Sequence, residues 1–306
     1  MCDICKYNIK LDDNDINLIL KITNINNSLT ITAKKLNLYN NEIYFYKELY
    51  NDIKDVIRIP YYYDSSYINQ LIIMKDLNNN NENGMFNINL NKNKELIYTI
   101  IKEIAKIHIK YYYENDNDIP ISFNKVRKIN EYDYYNLLIK DRYDKFIIDN
   151  NKYFDKNIKD LFDNCKNNFI NNINDLSSFP LSFCHGDLKS PNIFYENNIN
   201  PIFLDFQYIN FSKGITDIIF LLVESIDFDE DLYYNVIEYY YNILITNNIK
   251  YKYEDYIKDL RNSLMVFPFI VALWFNTEDK NNLNDKDFPL NFLNKLIKYY
   301  KYEFLI

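Results

Sequence analysis

The chain has 306 residues, is 48% hydrophobic and carries a formal net charge of −8 with a pI near 5.0. This length buries a substantial core as one domain or two lobes, and the acidic balance repels phosphate backbones, which sets nucleic acid aside as a partner. The N-terminal MCDICKYNIKLDDND has no apolar leader, and the longest apolar run, Leu264 to Phe275, is too short for a bilayer and contains Pro268, so the expectation is a cytoplasmic protein with no membrane partner.

Tyrosine (31) and phenylalanine (21) are abundant and glycine (3) is scarce, a bias that names no function. Four cysteines without a secretory signal read as reduced thiols. Cys2 and Cys5 form a C-x-x-C, but zinc needs two more ligands and Cys165 and Cys184 lack the spacing, so inert thiols are the reading.

In chain order, NLILKI and LTITA read as strands, NEIYFYKELY as a helix and QLIIMKDL as a strand leaving into a loop, together a small β-rich lobe. NNNNENGMFNINLNKN, polar and holding Gly84, reads as a mobile connection or surface insertion beside the lobe boundary. Leu96, Ile97, Ile100, Ile101, Ile104 and Ile107 then recur on one helix face. Further helices are expected over Tyr132–Ile148, Ile158–Ile173, Thr216–Val223, Asp231–Ile245 and Glu254–Trp274, with Pro268 kinking the last. No internal repeat is present.

Between these helices, LSFCHGDLKSPNIFYENNINPIFLDFQYINFSKGITD is non-helical in pattern and gathers the chemistry. Phosphoryl transfer needs a carboxylate near the acceptor hydroxyl and oxygen ligands for Mg²⁺. Asp187 and Asn192 lie five positions apart on one loop, and Asp205 ends the next apolar run, so two hairpin strands would bring the three together.

HGDLKSPN resembles the catalytic loop of aminoglycoside phosphotransferases and choline kinases, and Asp205-Phe206-Gln207 resembles their metal-binding turn. The DFQ form is most similar to the ecdysteroid-kinase-like and choline-kinase-like branch. LILK, NEIYFYKEL, RIPYYYD, LIIMKDL, IAKIHIKYY and the C-terminal YYYNILITNNIKYKYEDYIKDLRNSL resemble that branch in the same order, so the likeness spans most of the chain.

The resemblance implies an α+β, two-lobed protein-kinase-like fold, with a shortened nucleotide-binding lobe over 1–76 and a catalytic and substrate-binding lobe over 77–306. It implies ATP (or GTP) and Mg²⁺ as cofactors and a small-molecule hydroxyl as acceptor. Asp187 would be the catalytic carboxylate, with Lys189 approaching the transferring phosphoryl group, and Asn192 and Asp205 would ligate the metal. Lys21 and Glu42 would form the phosphate-binding pair, with Lys34 and Lys35 as rivals for the lysine, and Met74 and Asp76 would form the hinge. His185 and Asp217 would support the loop structurally, and His108 is expected to be a satisfied core residue.

The glycine-free segment before Lys21 departs from this pattern. A hairpin over KYNIKLDDNDINLILKI, turning at Asp12 to Asp15, would give a reduced lid whose acidic residues repel phosphates. A catalytically weak pseudokinase that binds a small molecule or partner in the same cleft is therefore the competing reading. A Ser/Thr protein kinase is disfavoured, because only twelve positions separate Asp205 from Asp217 and no A-P-E follows. Glu224, Asp227, Asp229, Glu230 and Asp231 form an acidic cluster, read as a solvated helix connection ahead of a site for a cationic acceptor. The sequence leaves the acceptor and the oligomeric state open.

Overall fold

The computed structural model describes residues 2–11, 14–24, 28–78, 84–278, 283 and 285–305. Strands β1 (Cys2–Leu11) and β2 (Asn14–Thr23) form an antiparallel hairpin in which Ile4 stands opposite Lys21. Helix α1 (Ser28–Lys35) follows, then α2 (Leu38–Tyr44), which continues through a π-helical turn over Phe45–Leu49 and a last turn over Tyr50–Ile53. With β3 (Tyr62–Ser66) and β4 (Leu71–Lys75), the hairpin completes an antiparallel sheet of order β1-β2-β4-β3.

LTITA was expected as a strand and is instead part of α1. Its β-branched residues favour a strand locally, but Thr30, Ala33 and Leu36 are buried at helical spacing, and that packing overrides propensity. The Asn-rich segment is also more than a connection. Residues 79–83 lie outside the described ones, but β5 (Gly84–Phe86) pairs with a strand following the HGDLKSPN loop, and Ile88 and Leu90 are buried. A Cβ on Gly84 would stand 2.5 Å from the Phe194 ring, so this close pairing requires glycine.

Helix α3 (Lys94–Lys110) buries the predicted Ile-rich face and leads into β6 (Tyr112–Tyr113). Next come α4 (Lys140–Asn150) and α5 (Lys156–Leu176), then β7 (Leu181–Cys184), β8 (Ile193–Glu196), β9 (Asn200–Phe203) and β10 (Asn210–Ser212). Two small sheets of order β10-β7-β6 and β5-β8-β9 support the loop between β7 and β8. Helices α6 (Ile215–Ser225), α7 (Glu230–Thr246), α8 (Tyr253–Thr277, with Pro268 inside) and α9 (Phe288–Leu305) complete the chain.

Helix α8 is buried along most of its length and packs against α4, α5, α6 and α9, which makes it the axis of the C-terminal core. Sequence reading had not assigned α9, although Phe292, Leu293, Leu296, Ile297 and Tyr300 carry the helical spacing. The architecture is α+β, a β-rich N-terminal part followed by a mainly helical C-terminal one. Among the described residues, no helix is long and apolar enough to cross a membrane.

Candidate active site

A cleft of about 450 Å³ opens between the first sheet and the β8–β9 hairpin. Its lining combines the apolar side chains of Ile4, Ile19, Met74, Leu77, Phe86 and Leu204 with the polar groups of Lys21, Glu42, Asn192, Asp205 and Gln207. Alternation along β1 and β2 sets Cys2, Ile4 and Lys6, and Ile19 and Lys21, on the cleft face, since every second side chain turns to the same side.

Lys21 on β2 lies 2.8 Å from Glu42 on α2 and 2.6 Å from Asp205 Oδ1, just beyond β9. Burial works against the Lys21 ammonium, but Asp205 and Glu42 outweigh it and hold its pKa well above the usual range. Burial raises the Glu42 carboxyl against the pull of Lys21. At Asp205 burial pushes upward too, yet the Lys21 ammonium prevails and the pKa is lowered. Gln207 donates to Glu42 at 3.1 Å, a partner that sequence reading had noted only as part of DFQ. Lys34 and Lys35 end α1 on an exposed face outside this cleft.

Asp187 is buried in the loop after β7, where its Oδ2 accepts from Asn192 Nδ2 at 3.0 Å and meets Lys189 Nζ at 2.9 Å. Burial, opposed by Lys189 and aided by Asp205, pushes its carboxyl up to about 6. Asn192 Nδ2 also donates to the Asp187 carbonyl at 2.9 Å, which leaves Asn192 Oδ1 as its remaining acceptor. Asp205 Oδ2 accepts no hydrogen bond among the described residues, so an amide oxygen and a carboxylate oxygen are available where hard cations take oxygen ligands. This donor set fits Mg²⁺.

The loop is held from beneath. His185 Nε2 donates to the Leu204 carbonyl at 2.8 Å while Nδ1 accepts from Asp187 N at 3.2 Å, which fixes a neutral tautomer whose pKa burial lowers. Asp217, in the first turn of α6, accepts from His185 N and Gly186 N, both at 2.8 Å, and from His108 Nε2 at 3.0 Å. His108 Nδ1 meets the Tyr240 hydroxyl at 2.8 Å, so both ring nitrogens are used. This explains why His108, Cys184 and Asp217 cluster without offering a free metal site. Sequence reading had placed His108 in the core without its link to Asp217. The available signal was a histidine on the apolar face of a helix.

Met74 and Asp76 line the cleft at the end of β4, where Asp76 accepts from Asn78 N at 2.9 Å and from Lys6 Nζ at 3.2 Å. Phe206 stacks on Phe45 of the α2 extension at 3.7 Å and lies 4.5 Å from the His185 ring, linking helix, turn and loop.

Three expectations are settled by placement. Cys2 faces the cleft and Cys5, an odd number of residues on, faces the other side of β1, so the C-x-x-C shares no ligand position. The β1–β2 hairpin forms, with Leu11 paired to Asn14 at one end, and Lys21, opposite Ile4, lies near the other. Asp15 is six residues from Lys21, about 20 Å along the strand, so it does not crowd the phosphate end. Asp12 and Asp13 lie outside the described residues. Of the acidic cluster, Asp229 caps α7 and pairs with Lys94 at 2.6 Å, and Asp227, Glu230 and Asp231 are exposed, whereas Glu224 is half-buried and helps to raise the pKa of Lys189.

A model of the ecdysteroid kinase-like family matches residues 4–253, most of the chain and every residue of the site except Cys2. The chain belongs to the ecdysteroid kinase-like family. No curated protein matches it in sequence. Among solved structures, this family member is similar to choline kinase LicA from Streptococcus pneumoniae (TM-score 0.60, 13% identity, 96% of this chain and 88% of that one). It is also similar to LicA in complex with AMP (0.56, 14%, 97% and 88%) and to the gentamicin complex of APH(2")-IIa (0.52, 17%, 96% and 91%). At such identities the likeness shows the fold, which is two-lobed and protein-kinase-like.

Proposed function

We propose that this protein transfers the γ-phosphoryl group of ATP or GTP to a hydroxyl of a small molecule. The observation that carries the proposal is that Lys21, Glu42, Asn192 and Asp205, drawn from β2, α2 and two separate loops, line one cleft, with Asp187 and Lys189 joined to it through the Asn192–Asp187 hydrogen bond and the Lys189–Asp187 ion pair. In this reading residues 1–76 form the nucleotide-binding lobe and 77–306 the catalytic and acceptor-binding lobe, which the pairing of β5 with β8 supports.

The apolar lining of the cleft beside Met74 and Asp76 takes the base, and Lys21 contacts the phosphates with Glu42 holding its ammonium in place. Mg²⁺ held by Asn192 Oδ1 and Asp205 Oδ2 would neutralise charge on the phosphate oxygens. Asp187 orients the acceptor hydroxyl and receives its proton late, as the new oxygen–phosphorus bond forms and the bond from Pγ to the bridging oxygen breaks, releasing the nucleoside diphosphate. Lys189, 2.9 Å from Asp187, stabilises charge on the transferring group. His185 and Asp217 hold the loop and exchange no proton with the acceptor.

The competing pseudokinase reading, raised by the glycine-free segment before Lys21, is favoured by one structural observation, that the Lys21 ammonium is already engaged by the Asp205 and Glu42 carboxylates. Calorimetry with ATP and GTP, with and without Mg²⁺, on wild type and Asp205→Ala, followed by turnover of Asp187→Asn against a panel of alcohols, separates the two. Mg²⁺-dependent binding lost in Asp205→Ala, with turnover lost in Asp187→Asn, supports the kinase. Binding without turnover of any alcohol supports the pseudokinase.

A further inference from the structure

Most buried tyrosines of this chain find a hydrogen-bond acceptor. Tyr132 donates to the Ile209 carbonyl and Tyr256 to the Ile237 carbonyl, both at 2.8 Å. Tyr134 and Tyr208 depart from this. They are only 2% and 7% exposed, yet neither hydroxyl has a hydrogen-bond partner among the described residues, and the little access each keeps includes the hydroxyl itself. A nearly buried hydroxyl left without a partner costs free energy unless a ligand or water supplies one.

Both stand beside the candidate catalytic carboxylate. Tyr208 closes the short turn Phe206–Tyr208 that follows Asp205, and its carbonyl oxygen packs against Gly186, the residue before Asp187. The Tyr208 ring lies 5.5 Å from Phe267 of α8 and the Tyr134 ring 6.4 Å from the same Phe267, so this side chain joins the two. Burial, with the Asp187 charge adding to it, holds both hydroxyls well above the usual tyrosine pKa. Both therefore stay protonated and can donate as well as accept.

Which atoms are open decides what a ligand meets. A quaternary ammonium binds the faces of aromatic rings, and here the faces are covered. Tyr134 stacks on Tyr132 at 5.4 Å, and the Arg127 guanidinium already lies over the Tyr132 ring at 3.8 Å. Tyr208 and Phe220 both pack against Phe267. What remains accessible is two hydroxyl groups and a small part of Phe267, a set that suits hydrogen bonding to a neutral molecule.

We propose that the Tyr134 and Tyr208 hydroxyls form an acceptor subsite beside Asp187. They select an uncharged molecule that carries a second hydroxyl or carbonyl oxygen near the hydroxyl receiving the phosphoryl group, with its carbon skeleton against Phe267. This subsite rests on the phosphotransferase reading above. Its test is ATP-dependent turnover of cyclohexanediols, cyclohexanol, choline and ethanolamine, followed by release of nucleoside diphosphate. Wild type is expected to favour a diol about tenfold or more in kcat/KM over cyclohexanol and over both amino alcohols. Tyr134→Phe and Tyr208→Phe each remove only one oxygen atom and should each lower the preference for the diol over cyclohexanol about fivefold, with KM for the diol rising more than KM for ATP. Choline or ethanolamine used ahead of the diols, or a diol preference that both Phe variants retain, overturns the subsite. Calorimetry of wild type with Mg²⁺ and ATP separates the two levels. Binding of ATP without turnover of any diol overturns the subsite, whereas no binding overturns the phosphotransferase reading on which it rests.

Discussion

Lys21 and Asp205, 184 residues apart, meet at 2.6 Å, which ties the sheet to the loop that follows β9. The contact is shared, because Glu42 holds the same ammonium from the α2 side. Replacing Lys21 with Met leaves a buried Glu42 without its cation and is expected to lower stability by about 2–4 kcal/mol. Adding Glu42→Gln should recover part of that loss. Urea unfolding of the two variants checks this, and a double variant no more stable than Lys21→Met contradicts it.

The raised pKa of Asp187 makes both activity and stability depend on pH. A base must be ionised, so kcat/KM should rise with pH through about 6 and then level. For stability the sign is opposite. A carboxyl whose pKa rises on folding contributes stability that is full below its unfolded value, near 4, and is lost as pH climbs through about 6. Asp187→Asn should abolish that pH-dependent loss in melting experiments and lower turnover on the order of 10²–10⁴-fold. An unchanged melting profile over this range would remove the assignment.

Gly186 has φ +80, and a Cβ there would stand 2.0 Å from the Tyr208 carbonyl oxygen. Both the left-handed backbone and the backbone contact exclude a side chain. Gly186→Ala is expected to destabilise by about 2–4 kcal/mol, measured by urea unfolding. Gly84→Ala would meet the buried Phe194 ring and the Tyr195 carbonyl oxygen but carries no left-handed backbone, and should cost less.

Asp217 satisfies two loop amides and His108 while itself buried. His108, with smaller contributions from His185 and the Gly186 amide, holds its carboxyl below the usual range in spite of burial. Asp217→Ala strands three buried donors and should destabilise by about 3–5 kcal/mol. Asp217→Asn keeps one acceptor oxygen and should lose less. Amide exchange at His185 and Gly186 reads the difference, and equal protection in wild type and Asp217→Ala would show that the loop is held by other contacts.

Much of the fold was legible because hydrophobic periodicity is a local signal. Leu96 to Ile107 gave α3, and the apolar runs around HGDLKSPN and PIFLD gave β7, β8 and β9. LTITA misled, because its β-branched residues carry strand propensity while the burial of Thr30, Ala33 and Leu36 depends on partners distant in sequence. Gly84 looked like a loop residue because its close approach to Phe194 belongs to a pairing across more than a hundred residues. His108 gave no hint of Asp217 for the same reason.

The sequence by itself determined the helices from α3 to α8 in order and the spacing that sets Asp187, Lys189 and Asn192 on one loop, since a few bonds of backbone fix how far apart those side chains lie. Only the tertiary structure decided that Lys21 reaches Asp205, that Asp217 holds the loop through backbone amides and that β1 is left as an edge. Those relationships depend on how helices and sheets pack their apolar faces, a non-directional driving force summed over the whole core that no local spacing encodes.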